Sequence, residues 1–255
     1  ENHIVDGNEQ LRTGYSQADF INKIRFEYNE HLNILLNTQF STSSNIGRFD
    51  KLNDITEGGL PKYEKWEYGP QKRVLGSLSV NYNKKNLFFD ELNMLFSGQY
   101  VKEHRISQKL NSNEINRLEN VWVYSVNNSY LKTIGKLKIN YGFDIQYNHV
   151  ESNVYGSDAS RYADGGSKMI NYGVFSQVKK PFSNNFHFGG GLRFSSSYLD
   201  AKYLNREAYD LPFTNINLNN SSLTGGIGLG FNLNSWEGSL NISSGFRSPN
   251  VDDVT

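Results

Sequence analysis

A chain of 255 residues with 26 Lys and Arg against 26 Asp and Glu carries no net charge at pH 7, so its composition offers no case for a nucleic-acid partner or an acidic surface. The absence of cysteine excludes disulfides, thiolate metal sites and a cysteine nucleophile. No apolar run approaches the ~18 residues of a membrane-spanning helix, and residues 1–20 hold no signal-peptide core.

Against 5 Ala stand 33 Asn, 23 Gly, 16 Tyr and 16 Phe, a bias away from helix and toward strands joined by turns. The mean hydropathy of −0.61 is low for a membrane protein. That average is blind to a period of two, in which half of each strand faces hydrocarbon and half faces water.

Alternation predicts ten strands in chain order. Residues 18–28 place Phe20, Ile24, Phe26 and Tyr28 opposite Lys23, Arg25 and Glu27. Residues 32–42 place Leu32, Ile34, Leu36 and Phe40 opposite Asn33 and Asn37, and residues 73–82 place Val74, Leu78, Val80 and Tyr82 opposite Ser77, Ser79 and Asn81. Residues 88–100 follow with Phe88, Leu92, Met94, Phe96 and Tyr100 on the oily side. Residues 121–132 are ambiguous, because Val121, Trp122, Val123 and Tyr124 are apolar on both faces.

Residues 136–147 alternate strictly, with Leu137, Ile139, Tyr141, Phe143, Ile145 and Tyr147 against Lys136, Lys138, Asn140, Gly142, Asp144 and Gln146. Four further strands are predicted at 168–178, 186–198, 223–233 and 236–246.

Tight links near 29–31, 83–86, 133–135, 181–184 and 234–235 alternate with long ones near 43–72, 103–120, 150–167, 199–220 and 248–255. Short turns at one rim and long loops at the other are the build of outer-membrane barrels, with the short turns periplasmic and the long loops extracellular. The oily face carries Phe26, Tyr28, Tyr82, Phe88, Tyr130, Phe186, Phe231 and Trp236 near the short turns. Toward the long loops it carries Phe40, Phe96, Tyr100, Trp122, Tyr147, Phe194, Tyr198 and Phe246. Two aromatic belts on one face match the girdles at two membrane interfaces. The fold expected is all-β: an antiparallel transmembrane β-barrel wall of about ten strands in up-and-down hairpins.

Two segments resemble a known family. Ile46-Gly47-Arg48-Phe49-Asp50-Lys51-Leu52, followed by Tyr63-Glu64-Lys65-Trp66-Glu67-Tyr68-Gly69-Pro70-Gln71, is similar to the first barrel-loop segment of TonB-dependent outer-membrane receptors. Gly245-Phe246-Arg247-Ser248-Pro249-Asn250-Val251-Asp252-Asp253 is similar to a later segment of the same receptors, and the two occur in family order. The resemblance implies a wall segment of a barrel of about 22 strands around a plugged lumen. The plug domain and the segment that engages TonB are not visible in this sequence, so the chain is expected to be an internal piece of a longer receptor in the outer membrane of a two-membrane bacterium.

Partners implied are membrane lipid, the receptor's own plug and TonB system, a small nutrient ligand (ferric siderophore, haem, cobalamin or glycan) and a surface lipoprotein or other complex subunit. No nucleic acid, cofactor, resident metal or enzymatic activity is expected.

Candidate ligand-binding residues follow from position. His104 and His149 sit at the long-loop ends of their strands, where a haem iron ligand could lie, although five histidines without ligand spacing more often mean ordinary polar residues. Tyr155, Tyr162, Tyr203 and Tyr209 lie in long loops, where rings either stack on a ligand or pack the loop. Arg247 either binds ligand or pairs with Asp252 or Asp253. Arg161 to Gly166 reads as a turn rather than a calcium site. Gly226, Gly228 and Gly230, at every second inward position, either admit a close backbone or bend the wall. No nucleophile-elbow spacing and no His beside a paired carboxylate supports catalysis.

Two alternatives compete: a self-contained ten-stranded outer-membrane barrel such as a surface protease, and a soluble β-rich binding protein. The second requires the oily faces to be buried within the chain.

Overall fold

The computed structural model describes residues 5–6, 8–157, 159–233 and 235–254, with Val5, Asp6 and Val254 as backbone alone. A two-residue ribbon, β1 (Val5–Asp6) with β2 (Glu9–Gln10), precedes one large antiparallel sheet. The wall of that sheet is formed by β3 (Gln17–Glu27), β4 (Leu32–Ser43), β7 (Lys72–Tyr82), β8 (Glu91–Lys109), β9 (Glu114–Ile134), β10 (Leu137–Tyr155), β11 (Ser167–Pro181), β12 (Phe186–Lys202), β13 (Asn215–Leu233) and β14 (Trp236–Ser243). Along this path each pairs with its neighbours, a continuous up-and-down meander of ten strands. Between β4 and β7 the chain makes an excursion through β5 (Ile46–Gly47), the single turn α1 (Phe49–Leu52) and β6 (Tyr63–Tyr68); β5 pairs with β6, and β6 pairs with the upper part of β8. β3 and β14 do not pair with each other among the described residues, so the sheet is an open wall.

The register shows why the alternation was legible. Leu78, Phe96, Val126, Ile145 and Tyr172 lie side by side across five strands, and Phe143, Val174, Phe194 and Leu223 form the next row down. Ile24, Ile145, Val174, Leu223 and Leu240 are 52, 45, 53, 70 and 67% exposed. A soluble sandwich would cover such a face; here the chain leaves it open, as a wall against lipid does. Most of the buried apolar residues (Val150, Met169, Leu199, Ala163, Ala201 and Tyr203) gather instead at the long-loop rim on the polar face.

On the polar face Arg193 of β12 reaches across β11 to Asp144 of β10 at 2.7 Å. It passes over Gly173, where an added Cβ would stand 2.3 Å from the guanidinium. Gly228 and Gly230 are overlaid in the same way by Asn241 and His187. These glycines let neighbouring polar side chains lie flat along the wall.

Several predicted boundaries differ. The link at 103–120 shrinks to 110–113 because β8 and β9 continue as a paired ladder up to Gln108 and Glu114. The links at 150–167 and 199–220 shrink to 156–166 and 203–214, the latter with a 3₁₀ turn at Arg206–Tyr209. In the β13 extension the alternation is inverted: Asn215, Asn217 and Asn219 take the outward parity, while Ile216 and Leu218, opposite Ala201 and Leu199, turn inward beneath the loops. A strand that has left hydrocarbon keeps its hydrogen-bond ladder but no longer needs an apolar outward face.

Residues 43–72 are not a plain loop, since they hold β5, α1 and β6. The strand expected from Phe88 starts at Glu91 instead. Asn86 Oδ1 accepts the backbone N–H groups of Phe88 and Phe89 at 2.8 and 3.0 Å, which holds a turn and leaves Phe88 71% exposed. Asp90 then fastens this turn to the next one, accepting from Thr133 N–H at 2.8 Å and pairing with Lys132 at 3.0 Å. The last strand ends at Ser243 rather than Phe246, and a 3₁₀ turn follows at Val251–Val254. Of the turn predicted at 234–235, Asn234 lies outside the described residues, as does Thr255 of the final link.

The ambiguous stretch 121–124 also resolves. Val121 points to the polar face, level with Val101, Val150, Ser167, Ala201 and Ile216. This apolar floor lies where the loops fold back onto the wall. The oily face keeps the belt: Tyr100 and Trp122 are 5.3 Å apart, Trp122 stacks on His149 at 5.4 Å, and Tyr124 stacks on Tyr147.

Candidate functional site

The polar face of the long-loop rim is where charge and aromatic rings converge. In the β5–α1–β6 excursion, Arg48 lies 5.0 Å from the ring of Trp66 and 5.3 Å from that of Tyr68. Arg48 donates to the Tyr68 hydroxyl at 2.6 Å and forks onto the Asp50 carboxylate. That hydrogen bond raises the Arg48 pKa and holds the Asp50 carboxyl below its ordinary value. Gly69 is required for this packing, since a Cβ there would meet the Asn45 amide at 2.3 Å while Asn45 donates to Glu67.

Beside it, β8 and β9 present like-sign pairs in successive rows: Arg105 opposite Arg117, then Glu103 opposite Glu119 one row deeper. Arg105 sits 5.6 Å from the Tyr68 ring, and its Nε is buried without a partner. Glu119 is 1% exposed, and neither of its carboxylate oxygens has a hydrogen-bond partner. From the loop 156–166, Arg161 reaches Glu103 at 3.6 Å and Asp252 of the last turn at 3.7 Å. Its guanidinium lies 4.6 Å from the Tyr162 ring. Burial, and then a hydrogen bond to Asp252, push the Tyr162 phenol pKa up. A cavity of about 600 Å³ opens between β6, β8, β9 and this loop, with Tyr63, Trp66, Arg105, Lys109, Arg117 and Arg161 in its lining.

The predicted site residues separate into four groups. His104, His149 and Tyr155 lie on the oily side of the wall: His104 faces Asn116 Oδ1 at 2.9 Å, His149 is stacked on Trp122, and Tyr155 is 64% exposed. Tyr203 and Tyr209 are loop packing. Tyr203 is 2% exposed against Ala163 and Ala201, with the Tyr209 ring 5.1 Å away. The Tyr209 hydroxyl is bonded to Ser160 and to the Tyr162 carbonyl. Arg247 forks onto Asp253 at 2.7 and 2.8 Å, the carboxylate pairing weighed from the sequence. Of the seven, Tyr162 alone stands beside the charged cluster.

Asp164 accepts the backbone N–H groups of Leu204 and Asn205 at 2.7 and 2.9 Å, so it ties two loops together as a turn residue does. No group of three or more His, Asp or Glu among the described residues is placed to hold a metal ion.

From sequence, Arg48 and Trp66 stand only within the segment that carries the family resemblance, and Arg105, Arg117 and Glu119 carry no signal by residue type alone. The signal was available in parity: 105 and 117 continue the inward positions set by Val101 and Val121 once β8 and β9 are extended.

A family model described as TonB dependent receptor-like, beta-barrel, matches residues 7–255. No curated protein matches the sequence significantly. Among solved structures, the copper transporter OprC aligns over 91% of this chain and 36% of its own, with a TM-score of 0.70 and 12% identity. The ferric citrate transporter FecA in its unliganded form aligns over 91% and 36%, with a TM-score of 0.59 and 14% identity. The alcaligin outer-membrane receptor FauA from Bordetella pertussis aligns over 87% and 34%, with a TM-score of 0.62 and 9% identity. At these identities the likeness is one of fold, and the chain spans about a third of each of these three proteins. The two-faced meander and the family match together make this chain a member of the TonB-dependent receptor β-barrel family, an outer-membrane barrel wall.

Proposed function

We propose that the chain is the barrel portion of a TonB-dependent receptor that actively takes up a scarce nutrient, with its ligand met at the charged and aromatic rim of the lumen. In this reading the short-turn rim is periplasmic and the long-loop rim extracellular. A plug domain elsewhere in the full-length protein occupies the lumen, and TonB acts on that plug. The ligand is a small nutrient of the kind such receptors carry: a ferric siderophore, haem, cobalamin or a glycan. A surface lipoprotein or other subunit at the long-loop rim belongs to the same proposal.

The observation that carries the reading is the family match over residues 7–255, on a wall whose oily face stays open and whose polar face gathers Arg48, Arg105, Arg117 and Arg161 at one rim. The wall supplies no chemistry of its own. It fixes ligand-facing side chains on a hydrogen-bonded ladder, and in the full-length barrel further strands would pair the outer edges of β3 and β14, since each unpaired backbone group in lipid costs several kcal/mol.

Of the sequence candidates, Tyr162 is proposed as a ligand contact. His104, His149 and Tyr155 face away from the lumen, and Tyr203, Tyr209 and Arg247 act as rim packing. The test is uptake of a labelled nutrient by cells expressing the full-length protein, with and without a functional TonB system. Uptake that needs TonB supports the reading; uptake that persists at the same rate without TonB overturns it.

A further inference from the structure

We infer that the cavity between β6, β8 and β9 is a subsite for a small molecule bearing two or more oxyanionic groups, carboxylate or phosphate, held by Arg105 and Arg117 with Lys109 and Arg161 at its rim. The inference rests on the uptake reading and narrows it to a ligand class.

Three observations converge. First, the charges in the cavity lining are all positive, while the carboxylates of the same face, Glu103 and Glu119, lie a row deeper and outside it. Second, three of the four cations have no carboxylate in contact, the exception being Arg161 with Glu103 and Asp252. Arg105, Lys109 and Arg117 make no ion pair among the described residues, and Arg105 Nε is buried with no hydrogen-bond partner. Third, Arg105 and Arg117 stand directly opposite each other on a paired ladder. Like charges at that spacing oppose pairing, so the arrangement gains when an anion bridges them.

Two adjacent guanidinium forks fit two carboxylate or phosphate groups bidentately, in a geometry that a lysine pair does not offer. Tyr63 and Trp66 flank the charges with apolar ring surface for the organic body of the ligand. The cavity opens on the polar face, opposite the side that carries the Trp122 belt, so lipid headgroups do not reach it. At about 600 Å³ it holds a molecule of small-ligand size.

The test uses the full-length receptor purified in detergent, with tricarballylate (three carboxylates) and pyrophosphate as probes and the neutral sugar maltotriose as control, titrated by calorimetry at low salt. Expected is saturable binding of at least one anion, tighter than maltotriose and weakened by added salt. Arg117→Gln is expected to reduce that affinity about tenfold, Lys109→Gln a few-fold, and Arg117→Lys to fall between wild type and Arg117→Gln. Lys102→Gln, on the oily side of the same ladder, is expected to leave it unchanged. Heat-modifiable migration on a gel confirms that each variant is a folded barrel.

Which probe wins separates carboxylate from phosphate recognition. Binding of neither anion above maltotriose, or wild-type affinity in folded Arg117→Gln, overturns the inference. If TonB-dependent uptake persists in that case, the transport reading stands and this subsite falls. If uptake proves independent of TonB, the transport reading falls, and the anion titration still decides the subsite.

Discussion

Val174 and Gln177 are three residues apart on β11, and the parity of the wall sends one to lipid and the other to the lumen. Val174 is four residues below Ile170, which shares a row with Tyr147 and Tyr198 of the upper belt. With a rise of about 3.3 Å per residue and a tilt near 40°, each residue gains roughly 2.5 Å of height, which sets Val174 about 10 Å under that belt. In an apolar band about 25 Å tall this is close to the middle, where an outward arginine costs about 2–4 kcal/mol. Val174→Arg is therefore expected to lower stability by about 2–3 kcal/mol, at least a thirtyfold loss in the folding equilibrium. Gln177 is exposed on the polar face and makes no side-chain hydrogen bond, so Gln177→Arg at similar depth is expected to stay within about 0.5 kcal/mol of wild type. The assay is a reversible denaturant titration of the full-length barrel in lipid vesicles, followed by tryptophan fluorescence. Equal penalties at the two positions, or the larger one at Gln177, would refute the assignment of faces on which everything else depends.

Other positions give independent checks. Asn128 shares the oily face with Phe143, is 3% exposed, and its Oδ1 has no hydrogen-bond partner; Asn128→Leu is expected to stabilise the barrel by about 1–2 kcal/mol in the same titration, and a loss of stability would show that the amide is satisfied. Gly173→Ala puts a methyl 2.3 Å from the Arg193 guanidinium and should cost about 1–3 kcal/mol, a penalty that largely vanishes in an Arg193→Ala background; additive effects in that cycle would mean the clash is not with Arg193. Asp90→Ala strands the Thr133 N–H and leaves Lys132 with the Asn86 carbonyl alone, and should cost about 1–3 kcal/mol, most of it recovered in Asp90→Asn only if the Thr133 bond dominates. The Asp253 carboxyl is held below its ordinary value, first by the Asn250 N–H and then by Arg247. A depressed folded pKa means its contribution to the last turn is whole above the unfolded value of about 3.9 and disappears as pH falls through the lower folded value, so exchange protection of the Asn250 amide should persist at pH 5 and fail only below about pH 4; loss already at pH 6 would contradict the pairing.

The membrane-crossing half of the fold could be read from the chain because lipid imposes a period of two on ten successive strands. Leu137 to Tyr147 carries that period without a break, and β10 begins where it does. Where β8, β9 and β13 leave the bilayer the outward face no longer has to be apolar. In Asn215 to Asn220 the short alternation of Asn with Ile216 and Leu218 carries its apolar residues on the opposite parity from Leu223, so it does not extend the membrane pattern. The candidate site was lost for the same reason. Arg105 and Arg117 fell inside a stretch taken for a loop, and only their position on a ladder places them opposite one another. Height along the strand places His104 and His149 near the long-loop rim, and height says nothing about face. His149 occupies the outward parity that Tyr147 sets two residues earlier. Tyr203 and Tyr209 went the way of most loop aromatics: with two buried alanines they form the small core that pins the loops to the wall.

The continuation of β8 to Lys109 and of β9 from Glu114 has a thermodynamic consequence. Nine residues past Tyr100, about 30 Å measured along the strand, remain a hydrogen-bonded hairpin closed by residues 110–113. A flexible loop of that length would surrender backbone entropy each time it gripped something, about 1–2 kcal/mol per residue newly fixed. Arginines mounted on a ladder that folding has already frozen present their charge preorganised, so contacts made there reach affinity with little of that toll.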